Sequence, residues 1–335
     1  MEIKSKTTVS LVLGSGGARG LAHIGVIRWL EANDFRIESI SGCSIGALIG
    51  GIYASGKLDL FEHWIRAINK VDIVTLLDIS WGKAGLIKGD KIINTLVELV
   101  GDQLIETLPI SFTAVATDIN NEKEIWINSG NLFDAIRASI SLPLFFTPFD
   151  HNGIMLIDGG VLNPVPIAPT FHDKTEITIA VNLCGSVKRK NAPIEEIPEP
   201  EPEARSAPLR EKIGRFLQRF TQPEEDDSDH DLGAYDVANQ AFETMQSAIA
   251  RQKLAAYPPD YVLEIPKNAC GMLDFHRAAE IIDSGYEKAE KHLGRMLRDP
   301  DTEGGRLYSW NIPLKDAEKP ELGVPMPSPT IELPD

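Results

Sequence analysis

Three short stretches hold residues able to do chemistry. The pentapeptide Gly42-Cys43-Ser44-Ile45-Gly46 sets a serine between two glycines, a G-x-S-x-G pattern. Ile37–Ser41 before it looks like a strand, and Ile45 onward reads as a helix. A sharp turn between a strand and a helix exposes a hydroxyl that can attack a carbonyl. Side chains at 42 or 46 would crowd such a turn. The same residues would also serve as a plain βα turn with a capping serine. The second stretch, Gly14-Ser15-Gly16-Gly17-Ala18-Arg19-Gly20, follows the first strand and lets backbone N–H groups converge on negative charge. That charge is either a nucleotide phosphate or the transient oxyanion of an acyl transfer. Arg19 breaks the dinucleotide pattern G-x-G-x-x-G, and the Gly-Lys-Ser/Thr of a phosphate loop is absent. The oxyanion use also links the loop to the serine. The third stretch is Asp158-Gly159-Gly160, just after a strand at Ile154–Ile157. Its aspartate either points into a cleft or closes an Asp-Gly turn.

The surrounding elements must bring these three stretches together. Val9–Leu13 reads as a buried strand. Leu21–Asn33 reads as a helix with Leu21, Ile24, Ile27 and Leu30 on one face. Further helices are expected at Ile45–Ala54, Leu58–Lys70, around Ile92–Val100 and at Leu132–Ser139. Strands are expected at Ile110–Thr117, Lys123–Asn128 and Glu176–Leu183. After these, a helix near Tyr235–Ala256, a strand at Tyr261–Ile265 and a helix at Asp274–Arg298 are expected. Strands separated by helices imply crossover connections, hence an α/β fold with a mainly parallel central sheet flanked by helices on both faces.

Taken in order, the motifs resemble those of the patatin-like phospholipase family, over roughly Val9 to Leu183. The glycine-rich block matches at Gly14, Gly16, Gly17, Arg19 and Gly20, the elbow at Gly42, Ser44 and Gly46, and the dyad block at Asp158, Gly159 and Gly160. Ala138-Ser139-Ile140-Ser141-Leu142-Pro143 and Asn163-Pro164 resemble further blocks of that family. The resemblance implies a three-layer α/β/α fold and a Ser–Asp dyad. Ser44 is then the nucleophile and Asp158 its base, with N–H groups of Gly16, Gly17 and Ala18 as the oxyanion hole. Gly14, Arg19 and Gly20 order the loop, or Arg19 steadies an anionic lipid. No metal or cofactor is implied, and the substrates are acyl lipids or lysophospholipids.

Two other readings stand beside this one. A Ser–His–Asp esterase needs the chain order serine, acid, histidine, which Ser44, Asp118 and His172 satisfy. His172 lies in a polar loop without a surrounding motif, and Asp118 fits a turn-closing role. A non-catalytic regulator would keep the fold and bind a partner through residues 186–232.

Composition bounds the remaining choices. The chain has 335 residues and a formal net charge of −16, which disfavours nucleic acid as a general partner. Cys43, Cys184 and Cys270 are widely spaced and form no metal or disulfide pattern. That fits a reducing, cytoplasmic setting. Ser39–Gly56 contains 18 consecutive uncharged residues, yet five glycines and four serines interrupt it, against a membrane span. The expected organisation is a catalytic core over 7–185 and a charged, Pro-rich insert over 186–232. Residues 233–298 complete the same domain, and 299–335 form a disordered tail. Within the insert, residues 209–220 pattern as a short amphipathic helix with an apolar stripe and four basic residues. Three readings stand for it: a transient contact with an anionic membrane surface, a helix packed on the body, or a lid over the site.

Overall fold

The computed structural model describes residues 6–76, 89–143, 145–186 and 234–294. The stretch 209–220 and the tail 299–335 lie outside them. The described strands form one sheet: β1 (Thr7–Leu13), β2 (Phe35–Cys43), β3 (Ser111–Asp118), β4 (Lys123–Ile127), β5 (Phe149–His151), β6 (Ile154–Asp158), β7 (Ile177–Gly185) and β8 (Tyr261–Pro266). Their order is β5-β6-β3-β2-β1-β7-β8, with β4 also on β3. The pairs β3–β2, β2–β1, β1–β7 and β7–β8 are parallel. The pairs made by β4, β5 and β6 are antiparallel. The sheet is therefore mixed, parallel through its middle and antiparallel at one side.

The helices are α1 (Ala22–Ala32), α2 (Ile45–Ala54), α3 (Leu58–Ala67), α4 (Lys70–Leu76), α5 (Asp90–Val100), α6 (Leu132–Ser139), α7 (Ala234–Ala256) and α8 (Ala278–His292). Side chains alternate across a strand, so each central strand feeds two apolar cores. Val9, Leu11 and Leu13 of β1 join a large core with residues of α1, α2, α3, α5, α6 and α8. Val12 points the other way, into a smaller core with Ala180 of β7 and Ala250 and Leu254 of α7. Both faces are covered, as parallel strands require.

α8 lies across α1 at close range. A Cβ on Gly25 would fall 2.0 Å from the Ile282 carbonyl oxygen, and one on Gly285 would fall 2.1 Å from that of Ala22. Only two glycines let these backbones approach so closely. The indole of Trp29, fully buried in α1, donates to Glu290 of α8 at 2.7 Å.

Two differences from the sequence expectation have a clear local cause. The helix expected over Leu58–Lys70 ends at Ala67, because Ile68 turns extended at ψ 132°. Asn69 then starts α4 as a cap. Its side chain accepts from the N–H groups of Val71 and Asp72, and Asp72 reaches back to the Asn69 N–H. The strand β5 was not expected. It forms a hairpin with β6 across the two-residue turn Asn152-Gly153, both at positive φ. Asn-Gly is a strong short-range hairpin signal, although a three-residue strand shows little periodicity.

Candidate active site

The register of β3 explains how distant motifs meet. Val115 pairs with Cys43 of β2, and the next residue, Ala116, pairs with Asp158 of β6. β4 occupies the other edge of β3 along Ala114–Asp118. β2 and β6 therefore share one edge and run head to head along it. Ser44 leaves the end of β2 where Asp158 ends β6. The Ser44 hydroxyl donates to Asp158 Oδ2 at 2.5 Å.

Ser44 sits at φ 55°, ψ −127°, between β2 and α2. Such backbone costs about 1–3 kcal/mol and persists only where its surroundings impose it. Here they do. The Ser44 N–H donates to Ser139 Oγ at 2.9 Å, and Ser139 Oγ donates to the Val115 carbonyl at 2.6 Å. The Ser44 carbonyl accepts from Ala47 and Leu48 in the first turn of α2. A Cβ on Gly42 would lie 2.5 Å from the Gly46 oxygen, and one on Gly46 would lie 2.1 Å from the Leu13 oxygen. The uncharged run Ser39–Gly56 is thus the end of β2, the elbow and α2. Gly46→Ala is expected to destabilise the fold by about 3 kcal/mol or more, read as a large drop in Tm. An unchanged melting curve would contradict the tight elbow. Cys43 is fully buried beside Ser44, and burial pushes its thiol well above the usual range. Its burial and raised thiol both favour a space-filling role over a nucleophilic one.

Asp158 is buried and held on three sides. Its N–H donates to the Ser141 carbonyl, Oδ1 accepts from the Gly160 N–H at 2.7 Å, and Oδ2 accepts from Ser44. Burial raises its pKa to about 7, against the opposing pull of the Ser44 and Gly160 hydrogen bonds. A carboxylate poised there is matched to proton transfer near neutral pH.

The glycine loop arches between β1 and α1. Gly14 and Ser15 donate to the carbonyls of Val181 and Pro164, and His23 Nε2 lies 2.9 Å from the Gly14 oxygen. Burial lowers the His23 pKa to about 4, so the ring is neutral at pH 7 and Nε2 carries the proton given to that carbonyl. Arg19 is buried as well. Its Nε donates to the Gly16 carbonyl at 2.9 Å, and its two terminal nitrogens donate to the Lys267 carbonyl and to Glu243, each at 2.8 Å. All three guanidinium nitrogens are thus bound to protein, and Arg19 ties Gly16 of the loop to Lys267 and Glu243. In a trans peptide, C=O and N–H point in opposite directions. The grip on the Gly16 oxygen therefore aims the Gly17 N–H away from Arg19. Among the described residues, the N–H groups of Gly16 and Gly17 have no protein acceptor. Ala18 departs from the sequence expectation. Its N–H donates to the Met272 carbonyl at 2.8 Å, which removes it from the oxyanion donors.

Gly17 and Ser44 border a cavity of about 150 Å³, roughly ten times the space one water needs. Its other walls include apolar side chains from α2, α3, α4 and α5, from residues 140, 142, 145 and 146 and from residues 272, 273 and 275. Arg137 braces one wall. It bonds Ser141 Oγ and Thr147 and lies against the rings of Phe146 and Phe149.

A family model described as patatin-like phospholipase matches residues 11–171. An uncharacterized NTE family protein of Mycobacterium tuberculosis is 36% identical over 89% of this chain and 94% of its own length. The chain belongs to the patatin-like phospholipase family. It is therefore a member of a family of lipid hydrolases. The lysophospholipase NTE1 of Saccharomyces cerevisiae is 32% identical over 54% of this chain, which corresponds to 11% of that longer protein. Among solved structures, VipD from Legionella pneumophila superposes with a TM-score of 0.42 at 13% identity, over 87% of this chain and 67% of that one.

The family blocks at Gly14–Gly20, Gly42–Gly46 and Asp158–Gly160 converge on one end of the sheet. The residues of the alternative triad do not. The Asp118 carboxylate accepts from the backbone N–H groups of Asn120 and Asn121 and from the Asn121 side chain, which closes a turn. His172 is exposed beyond residues 168–170. Ser139, Glu243 and Gln246 reach the site without a sequence signal of their own. Ser139 stood only within a resembling block.

Proposed function

We propose that this chain is a serine lipid acyl hydrolase acting through a Ser44–Asp158 dyad and an acyl-enzyme intermediate. The observation that carries this reading is the 2.5 Å Ser44–Asp158 contact on the edge of an apolar cavity. Ser44 Oγ attacks the ester carbonyl while Asp158 takes its proton. The N–H groups of Gly16 and Gly17 receive the charge that develops on the carbonyl oxygen; one such donor is worth about 10²–10³ in rate. Asp158 returns the proton to the departing alcohol, leaving the acyl group on Ser44. Water, activated by Asp158, then attacks the acyl carbonyl, and the fatty acid leaves as Ser44 regains its proton. Every step uses side chains and amides of this chain.

The apolar walls favour the acyl chain in the cavity and the alcohol portion outside. Phospholipids, lysophospholipids and simpler acyl esters all meet that requirement. A cytoplasmic protein that meets its lipid at a membrane surface fits this reading. Among the described residues, no helix is long and apolar enough to cross a membrane.

A fluorophosphonate probe, followed by peptide mass spectrometry, tests the nucleophile: modification is expected on Ser44. Hydrolysis of a panel of phospholipids, lysophospholipids and short acyl esters identifies the substrate class. The base must be ionised to act, and Asp158 is protonated below about pH 7. kcat/KM is therefore expected to climb through about pH 7 and level off above it. Labelling at another residue, or a rate flat from pH 5 to 9, would refute this mechanism.

A further inference from the structure

Two side chains of α7 reach the site from a helix that carries no catalytic motif. Glu243 and Gln246 are three residues apart and so share one helical face. Glu243 Oε1 accepts from Arg19 at 2.8 Å, and Arg19 Nε holds the Gly16 carbonyl at 2.9 Å. Gln246 is buried, and its Nε2 donates to Ser15 Oγ at 3.2 Å and to the Gly160 carbonyl at 3.1 Å. The Gly160 N–H in turn holds Asp158 Oδ1 at 2.7 Å. One helix face thereby grips the glycine loop at two points and the aspartate turn at a third.

The helix itself is anchored. Ala250 and Leu254 pack in the smaller core, and Lys253 pairs with Glu124, which also accepts from Asn163 at 2.9 Å. α7 is therefore a fixed reference for two loops that are far apart in sequence. We propose that Glu243 and Gln246 are positioning residues that set the Gly16–Gly17 amides and the Asp158 carboxylate in one working geometry. The inference rests on the dyad reading given above. Neither side chain borders the apolar cavity, so substrate binding is left to other residues. Misplacing reacting groups by about 1 Å costs up to about 10²-fold in rate, which sets the scale of the effect.

The test uses the full chain and a p-nitrophenyl butyrate assay, with Tm measured for each protein. Glu243→Ala and Gln246→Leu are expected to lower kcat about 10- to 100-fold, with KM within about twofold. Glu243→Gln keeps an oxygen acceptor for Arg19 and is expected to recover most of the lost kcat. A general weakening of the fold would lower Tm in all three variants without that recovery. If Gln246→Leu does not fold, Gln246→Met matches its length, lacks the N–H donors and is expected to show the same loss. Unchanged kcat, or Glu243→Gln as slow as Glu243→Ala, overturns the positioning role. Ser44→Ala run alongside separates the two ideas. If Ser44→Ala is inactive while the α7 variants are unaffected, positioning alone falls. If Ser44→Ala matches the parent protein, both readings fall.

Discussion

Ser44→Ala is expected to cut turnover of a short acyl ester by about 10⁴-fold or more. Alanine at this position carries the same positive φ as serine, so the backbone at the turn is no more strained than before. The Ser44 N–H bond to Ser139 and the helix starting at Ile45 remain. What disappears is the atom that forms the bond to carbon. The remaining amides can polarise a carbonyl but supply nothing to attack it. A purified, folded variant retaining more than about a tenth of parental kcat would mean that another group is the nucleophile.

Asp158→Asn gives two effects of opposite direction. The amide has nearly the shape of the carboxylate: its oxygen can still accept from the Gly160 N–H, while its NH2 group replaces the oxygen that accepts from Ser44 and can only donate to Ser44 Oγ. It cannot take the serine proton, and loss of a general base costs about 10²–10⁴ in rate. Stability moves the other way above neutral pH. Burial raises the carboxyl from its ordinary 3.8 to about 7. Between those values the native protein keeps a proton that the unfolded chain has released. Stability from this group therefore declines as pH rises from about 4 to about 7 and is level above. Asparagine has no proton to lose. At pH 8 the variant is expected to be more stable than the parent by an amount on the order of 2–4 kcal/mol, and the gap should close towards pH 4. Melting curves at pH 4.5 and 8 read this directly. Equal pH dependence in both proteins would mean that Asp158 is not the buried, raised carboxyl described above.

The parts of this site that were legible in sequence are those where backbone geometry dictates residue type. The elbow needs glycine at 42 and 46 because carbonyl oxygens stand where a Cβ would go. The loop at 14–20 needs several small residues for its amides to converge. Both constraints are local, so both leave local patterns. Parallel strands were legible from short runs rich in apolar and β-branched residues, as in Glu176–Leu183. The partners of those motifs were not. Arg19 meets Glu243 across 224 positions, and Ser15 meets Gln246 across 231. Nothing about an isolated glutamate or glutamine on a long helix reveals such a contact. Ala18 shows the reverse limit: its place in the loop suggested a free amide, and a carbonyl from the distant residue 272 takes it. The break at Ile68 escaped because the apolar spacing continues through it while the backbone turns.

The crossing of α1 and α8 also decides what could survive trimming. The stretch matched by the family model ends at residue 171, before β7, β8 and α8. A fragment cut there would leave β1 with an open edge and the Gly25 side of α1 facing water. Trp29 would lose its cover along with its acceptor. The three motifs end by residue 160, yet the packing around α1 depends on the last described helix, α8. The two halves must fold as one cooperative body for either to be useful.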